Sequence, residues 1–145
     1  KLSHSSADIA LQFKLEKSVS TIGVYAGPEF QKLDKKQQAF LFENEFTLGM
    51  NNRMAYQLQE LLPNKIPSLL SSAVLPGTVQ LTPSGKMIIL MRDCQTTGGY
   101  PRILQLSESA INSLSQKMQF EKVKFEFIIK NGKASDKFIK EYKIY

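Results

Sequence analysis

The sequence predicts a mainly β domain, an antiparallel sheet or closed β-barrel of six or seven short strands carrying two or three helices. Three observations predict it. Apolar stretches of strand length, separated by turn signals, outnumber helical ones. Helices and strands do not follow one another as consecutive βαβ units would require. The 145 residues, 42% of them apolar, are enough for one domain with a real core.

Taken in order, residues 1–19 are Ser-rich with some alternation, and are expected to be a connector from a preceding half of a longer product, since the chain starts at Lys1 and not Met. The domain proper is expected over 20–145. TIGVYAG reads as a strand closed by Gly27-Pro28. DKKQQAFLFENE reads as a helix that Asp34 caps, with Ala39, Phe40 and Phe42 on its buried face. FTLGM and RMAYQLQ are strands around a turn at Asn51-Asn52, where asparagine tolerates left-handed geometry.

SAVLPGTVQLTPSGKMIILMRD is the clearest hairpin: Val79 and Leu81 alternate with polar residues, Pro83-Ser84-Gly85 turns the chain, and KMIILM returns. RILQL is a further strand. SESAINSLSQKM begins a helix with Ser107 as cap and Glu108 in its first turn. KVKFEFII places Val123, Phe125 and Phe127 on one side of a half-buried strand. A short helix is expected after Asn131-Gly132.

Composition excludes several function classes. The apolar runs fall well short of the roughly 20 residues of a membrane span. One cysteine, Cys94, cannot form an internal disulfide, and with the lone His4 it cannot assemble a zinc site; a reducing cytoplasm fits. The net charge of +6 comes from lysines spread along the chain without a nucleic-acid-binding motif. A Cys94–His4 dyad has little support, because Asp93 beside Cys94 raises a thiol pKa.

Arginine is more telling. The three arginines, Arg53, Arg92 and Arg102, all lie in two short polar stretches, MNNRMAY and MRDCQTTGGYPRI. A guanidinium grips carboxylate or phosphate bidentately, which lysine does not do. The other account is structural pairing with acids such as Asp93. In QTTGGYP, Gly98 and Gly99 allow close approach to the main chain, Gln95, Thr96 and Thr97 offer donors and acceptors, and Pro101 holds Tyr100 extended. These residues would build a cradle of backbone N–H groups for an anion, or equally a tight strand-to-strand turn. The glycine spacing fits neither a Walker phosphate loop nor a dinucleotide fingerprint.

MRDCQTTGGYPRI closely resembles the hallmark segment of the Kip antagonist family, also called the allophanate hydrolase subunit 2 or biotin-dependent carboxyltransferase-like family. IGVYAGPEF, MNNRMAYQLQ and VLPGTVQLTPSGKMIILMRD resemble its other segments in the expected order, so that the match spans roughly residues 20–128. The resemblance implies a cyclophilin-like barrel and the C-terminal half of a subunit that pairs with a Kip inhibitor-like subunit to process small amides or ureas. The family includes a 5-oxoprolinase subunit, whose complex uses ATP and a third subunit to open 5-oxoproline to glutamate. It also includes the carboxyltransferase half of urea carboxylase, and a module that antagonises a kinase inhibitor.

No cofactor is expected on this domain alone, with ATP possible in the complex. Carried over by motif, the candidate catalytic residues are Arg53 and Asp93. The candidate substrate-binding residues are Asn52, Tyr56, Gln80, Gln95, Thr96, Thr97, Gly98, Gly99 and Tyr100. On this basis Asp93 would position Arg53 or Arg92. Ala55, Asn51, Cys94 and Arg102 stand where the family commonly has Gly, Ser, Arg and Lys. The change at Cys94 bears on the choice of substrate more than on the fold.

Overall fold

The computed structural model describes residues 19–128. The expected connector up to residue 18, His4 and the expected helix after Asn131-Gly132 lie outside the described residues. Among the described residues nine strands form: β1 Val19–Ala26, β2 Phe46–Asn51, β3 Ala55–Leu58, β4 Ser72–Ala73, β5 Thr78–Leu81, β6 Met87–Leu90, β7 Thr97–Gly98, β8 Arg102–Leu106 and β9 Lys122–Phe127. Helices α1 (Lys35–Glu43) and α2 (Glu108–Leu114) follow β1 and β8, and a short 3-10 turn covers Phe30–Lys32.

Among the described residues, seven strands close a barrel in the order β1-β8-β5-β6-β3-β2-β9, and β4 and β7 pair as a separate ribbon. The barrel is not wholly antiparallel as expected, because β1 and β9 run parallel, Val19 opposite Lys122 through Val24 opposite Phe127. Parity requires this. Directions around a closed ring can alternate throughout only if the strand number is even, so seven strands need a parallel seam. It falls between the first and last strands of the described domain, which no hairpin joins.

The barrel is filled by alternate residues of its strands. On β9 Val123, Phe125 and Phe127 point inward as expected. They meet Ile22 and Val24 of β1, Leu48 of β2 and Ile89 of β6 in one continuous core. Burying each such side chain contributes roughly 1.5–3 kcal/mol. Helix α1 docks by Phe42, whose ring lies 4.1 Å from Phe127 and 6.3 Å from Phe30.

Asp34 caps α1 as expected, and more fully. Its Oδ1 accepts from the Gln37 amide at 2.7 Å, while Gln37 Oε1 accepts from the Asp34 amide at 2.9 Å. The buried face of α1 is Gln38, Leu41 and Phe42; Ala39 and Phe40 are only half-buried. Gln38 is tolerated inside because its Nε2 donates to the carbonyls of Phe30 and Leu33. Helix α2 is capped by Ser107, whose Oγ accepts from the Ala110 amide, and it buries Ala110, Ile111 and Leu114.

Two Pro-stiffened corners meet on the outer wall. At Gly27-Pro28-Glu29 the chain leaves β1 so close to β8 that a Cβ on Gly27 would lie 2.2 Å from the Arg102 carbonyl oxygen, so only glycine fits. Glu29 then accepts from Arg102 three times: from the amide at 2.9 Å, from Nε at 2.9 Å and from Nη2 at 2.7 Å. The Glu29 side chain is 9% exposed and that of Arg102 20%. By contrast Arg92–Glu108, also short at 2.9 Å, is open to water at 52% and 78% exposure. An exposed pair contributes at most about 1 kcal/mol, whereas breaking a buried one leaves a desolvated charge alone.

The Arg102 hydrogen bonds hold the Glu29 carboxyl below the usual glutamate range, against the opposing effect of burial. A depressed carboxylate contributes stability that is present above its unfolded pKa and is lost as pH falls through the folded one. Glu29→Gln is therefore expected to lower unfolding free energy by on the order of 3 kcal/mol at neutral pH. The deficit should shrink as pH drops below carboxylate titration. Urea unfolding at both pH values checks this; an equal deficit at both would contradict it.

Candidate functional site

The end of the barrel where β2 and β6 finish and β3 begins carries an open cleft of about 550 Å³, lined by Asn51, Asn52, Arg53, Tyr56, Met91, Arg92, Asp93 and Ser115. The β2–β3 turn presents Arg53. It is built by Asn52, whose Oδ1 accepts from the amides of Met54 at 2.8 Å and Ala55 at 3.0 Å. The asparagine thus works through its side chain, as an Asx turn, and not by the left-handed geometry expected of it. The only non-glycine with positive φ among the described residues is Phe120.

The chain leaving β6 locks onto this turn: the Met91 amide donates to the Met54 carbonyl and the Asp93 amide to the Arg53 carbonyl. Backbone contact, not side-chain charge, is what puts the two candidate catalytic residues together. The expected carboxylate–guanidinium positioning is not formed, since among the described residues Asp93 makes no ion pair with Arg53 or Arg92. Arg92 Nη2 instead donates to Glu108 and Asn112 of α2. Arg53 is exposed, and its guanidinium has no ion-pair partner among the described residues.

Tyr56 reaches the cleft with a different part to play. It is 6% exposed and its hydroxyl donates to the Lys117 carbonyl at 3.3 Å, so it chiefly anchors the loop after α2. Burial, then the Glu121 charge, pushes its pKa up.

The other predicted residues stand apart from this cleft. After Asp93 the chain climbs the outer wall of the barrel. Thr97 pairs with Ala73 and Gly98 with Ser72, the Thr96 carbonyl accepts from Val74, and the Gly99 carbonyl accepts from Leu69. Two carbonyls of the stretch expected to cradle an anion, those of Thr96 and Gly99, are thus bonded to residues 69–74, with which it pairs as a ribbon. Gln95, Thr96 and Thr97 are exposed, and Tyr100 is 39% exposed. Gly98 has a specific cause: a Cβ there would lie 2.5 Å from Gln80 Nε2 beneath it. Gln80 is 2% exposed, on the face of β5 that the ribbon covers.

Arg102 joins the wall to the ribbon through Nη1, which donates to the Ala73 carbonyl at 2.9 Å. Lysine could not make that bond and the two Glu29 bonds from one planar head. Arg92, singled out from sequence with the other two arginines, does line the cleft, whereas Ser115 in the cleft and Glu29 on the wall were not expected from sequence. The pairing of Glu29 with Arg102 had one visible signal: each directly follows a proline, in Gly-Pro-Glu and Tyr-Pro-Arg. Among the described residues no group of His, Cys, Asp and Glu could hold a metal, and no helix is long and apolar enough to cross a membrane.

Fold and site together define a closed β-barrel domain with a polar cleft at one end and a ribbon-covered polar wall beside it. Residues 3–127 match the family described as carboxyltransferase domain, subdomain A and B, and the chain belongs to that family. It is 42% identical over 103 residues to the C subunit of 5-oxoprolinase from Haemophilus influenzae, covering 69% of this chain and 33% of that one. It is 40% identical over 93 residues to the C subunit of 5-oxoprolinase from Escherichia coli, covering 62% and 30%. The chain thus spans about a third of the length of these curated relatives. Urea amidolyase of Kluyveromyces lactis superposes with a TM-score of 0.66 over 77% of this chain and 8% of that one, at 15% identity, a likeness of fold.

Cys94 is half-buried beside the cleft, and burial first, then the Asp93 charge, raises its pKa. It is expected to alkylate with iodoacetamide more slowly than free cysteine at neutral pH, with a rate midpoint shifted upward. A midpoint at or below that of free cysteine would contradict this placement.

Proposed function

We propose that this chain is the barrel domain of a subunit of a multi-subunit enzyme that processes small amides or ureas, of 5-oxoprolinase type, converting 5-oxoproline to glutamate with ATP. The observation that carries the reading is Arg53: an exposed guanidinium, without an ion-pair partner among the described residues, in a polar cleft with Asn52 and Asp93. The 42% identity to a 5-oxoprolinase subunit supplies the substrate class. Arg53 would grip the substrate carboxylate or a phosphate of ATP. Asp93, held against the Arg53 carbonyl, would accept a hydrogen bond from an amide N–H. The enzyme would act in the cytoplasm, with an inhibitor-like partner subunit, and a third subunit would complete ring opening.

A role in binding a partner has its own support. Met50, Met118 and Phe120 are 72%, 52% and 54% exposed where β2 meets the start of β9, and the Phe120 amide donates to the Leu48 carbonyl. Exposed apolar residues gathered on one face mark protein contacts, and the inhibitor-like subunit is the partner we assign to them.

The test is 5-oxoproline-dependent ATP hydrolysis by the full-length protein, co-expressed with its inhibitor-like and third subunits. Arg53→Ala is expected to lower kcat/KM by about 10- to 100-fold, the size of one lost charge-assisted hydrogen bond. Its unfolding should stay as in the unaltered protein. Unchanged turnover in Arg53→Ala would defeat the site. Turnover of urea but not 5-oxoproline would change the substrate. A tight complex without turnover of either would favour the interaction role alone.

A further inference from the structure

Gln80 Nε2 is the one buried side-chain polar atom without a hydrogen-bond partner among the described residues. Its neighbours on the same wall are all satisfied. Thr78 Oγ1 donates to Gln105 Oε1, Gln105 Nε2 donates to the Pro76 carbonyl, and Arg102, opposite Gln80 in register, is bound to Glu29 and Ala73. A buried amide left unpaired destabilises a fold, and an apolar side chain of the same size would not. Where a native protein keeps such a group, a water, an ion or a ligand commonly completes it.

The cover over Gln80 is slight. Strands β4 and β7 have two residues each, a length marginal on its own. The ribbon carries Leu70 at 91% exposure. Gly98, bearing no side chain, rests directly on the amide.

We propose that Gln80 Nε2 is a substrate-binding donor, which receives the carbonyl oxygen of a small amide or urea when the β4–β7 ribbon lifts from the wall. The wall selects a neutral acceptor. Arg102, the cation beside Gln80, is already neutralised by Glu29, so a carbonyl fits there and a phosphate dianion does not. This deepens the amide-processing reading and rests on it: Arg53 supplies the charged contact, Gln80 the neutral one.

The experiment pairs two measurements on the full-length protein. The Gln80 side-chain NH₂ signals are followed by ¹⁵N NMR during titration with 5-oxoproline and, separately, with urea. Thermal unfolding and probe affinity are then compared with Gln80→Met, an unbranched apolar replacement. The expected result is a shift of the Gln80 NH₂ signals by at least one probe, at least tenfold weaker binding of that probe to Gln80→Met, and a Tm raised by roughly 2–4 °C. Gain of stability with loss of binding is an outcome that a purely structural glutamine cannot give. A Tm that falls, including a variant that does not fold, would overturn the proposal, because the amide would then be satisfied in solution. So would Gln80 signals that neither probe moves, or unchanged affinity in the variant. If 5-oxoproline is turned over equally by both proteins, the Gln80 assignment fails while the oxoprolinase reading stands. If only urea shifts Gln80, the assignment stands and the substrate changes.

Discussion

The pairing of Glu29 with Arg102 is the constraint on which the polar half of this domain depends. One carboxylate takes three donors from one arginine, two from the guanidinium and one from its own backbone amide. That fixes where the chain leaves β1, where β8 starts and how those two strands cross. The remaining edge of the same guanidinium holds the Ala73 carbonyl, and with it the ribbon that covers Gln80. A buried carboxylate would be unfavourable by itself; the partner keeps it ionised and turns a desolvation penalty into a fixed geometry. Lysine could supply the charge but not the planar fork that meets both Glu29 oxygens and the Ala73 carbonyl.

The barrel arranges the rest. Because seven strands need a parallel seam, β1 and β9 run side by side in the same direction, and β2, β6 and β8 all finish at the end where β1 and β9 start. The β2–β3 turn, the exit of β6 and helix α2 therefore collect at that end, and the cleft with Arg53 forms among them. The segment from 91 to 103 joins two surfaces. Its first residues line the cleft, and its glycines and threonines lie on the wall. A turn needs few of its polar residues, and the remainder serve the wall, the ribbon and the cleft rim.

Much of this was legible in the sequence because it is local. Strand alternation in Lys122–Phe127, the Asp34 and Ser107 caps and the turn at 83–85 each follow from a few neighbouring residues. The count of strands left an antiparallel sheet or a closed barrel, and the resemblance of four ordered segments implied the barrel and the family. What was not legible depends on contacts far apart in sequence. Glu29 and Arg102 are separated by 73 residues, and either could have been an ordinary surface charge. The split between Arg53 and the Thr96–Tyr100 ribbon could not be read from motif order, since both stretches are polar and glycine does not reveal what it rests against. Phe120 adopts φ 76° with no glycine or asparagine to signal it. Gln38 was not among the residues expected on the buried face of α1, because its partners, the carbonyls of Phe30 and Leu33, belong to a turn that periodicity does not describe.

The central claim, that Arg102 clamps the ribbon to the barrel wall, is tested most directly by native-state hydrogen exchange in Arg102→Lys. The Leu69 and Val74 amides, bonded to Gly99 and Thr96, report the ribbon, and the Leu106 amide, bonded to Gly77, reports the barrel. If the clamp holds the ribbon, exchange at Leu69 and Val74 should speed up well beyond any change at Leu106. Equal acceleration at all three amides, or none at the ribbon, would contradict it.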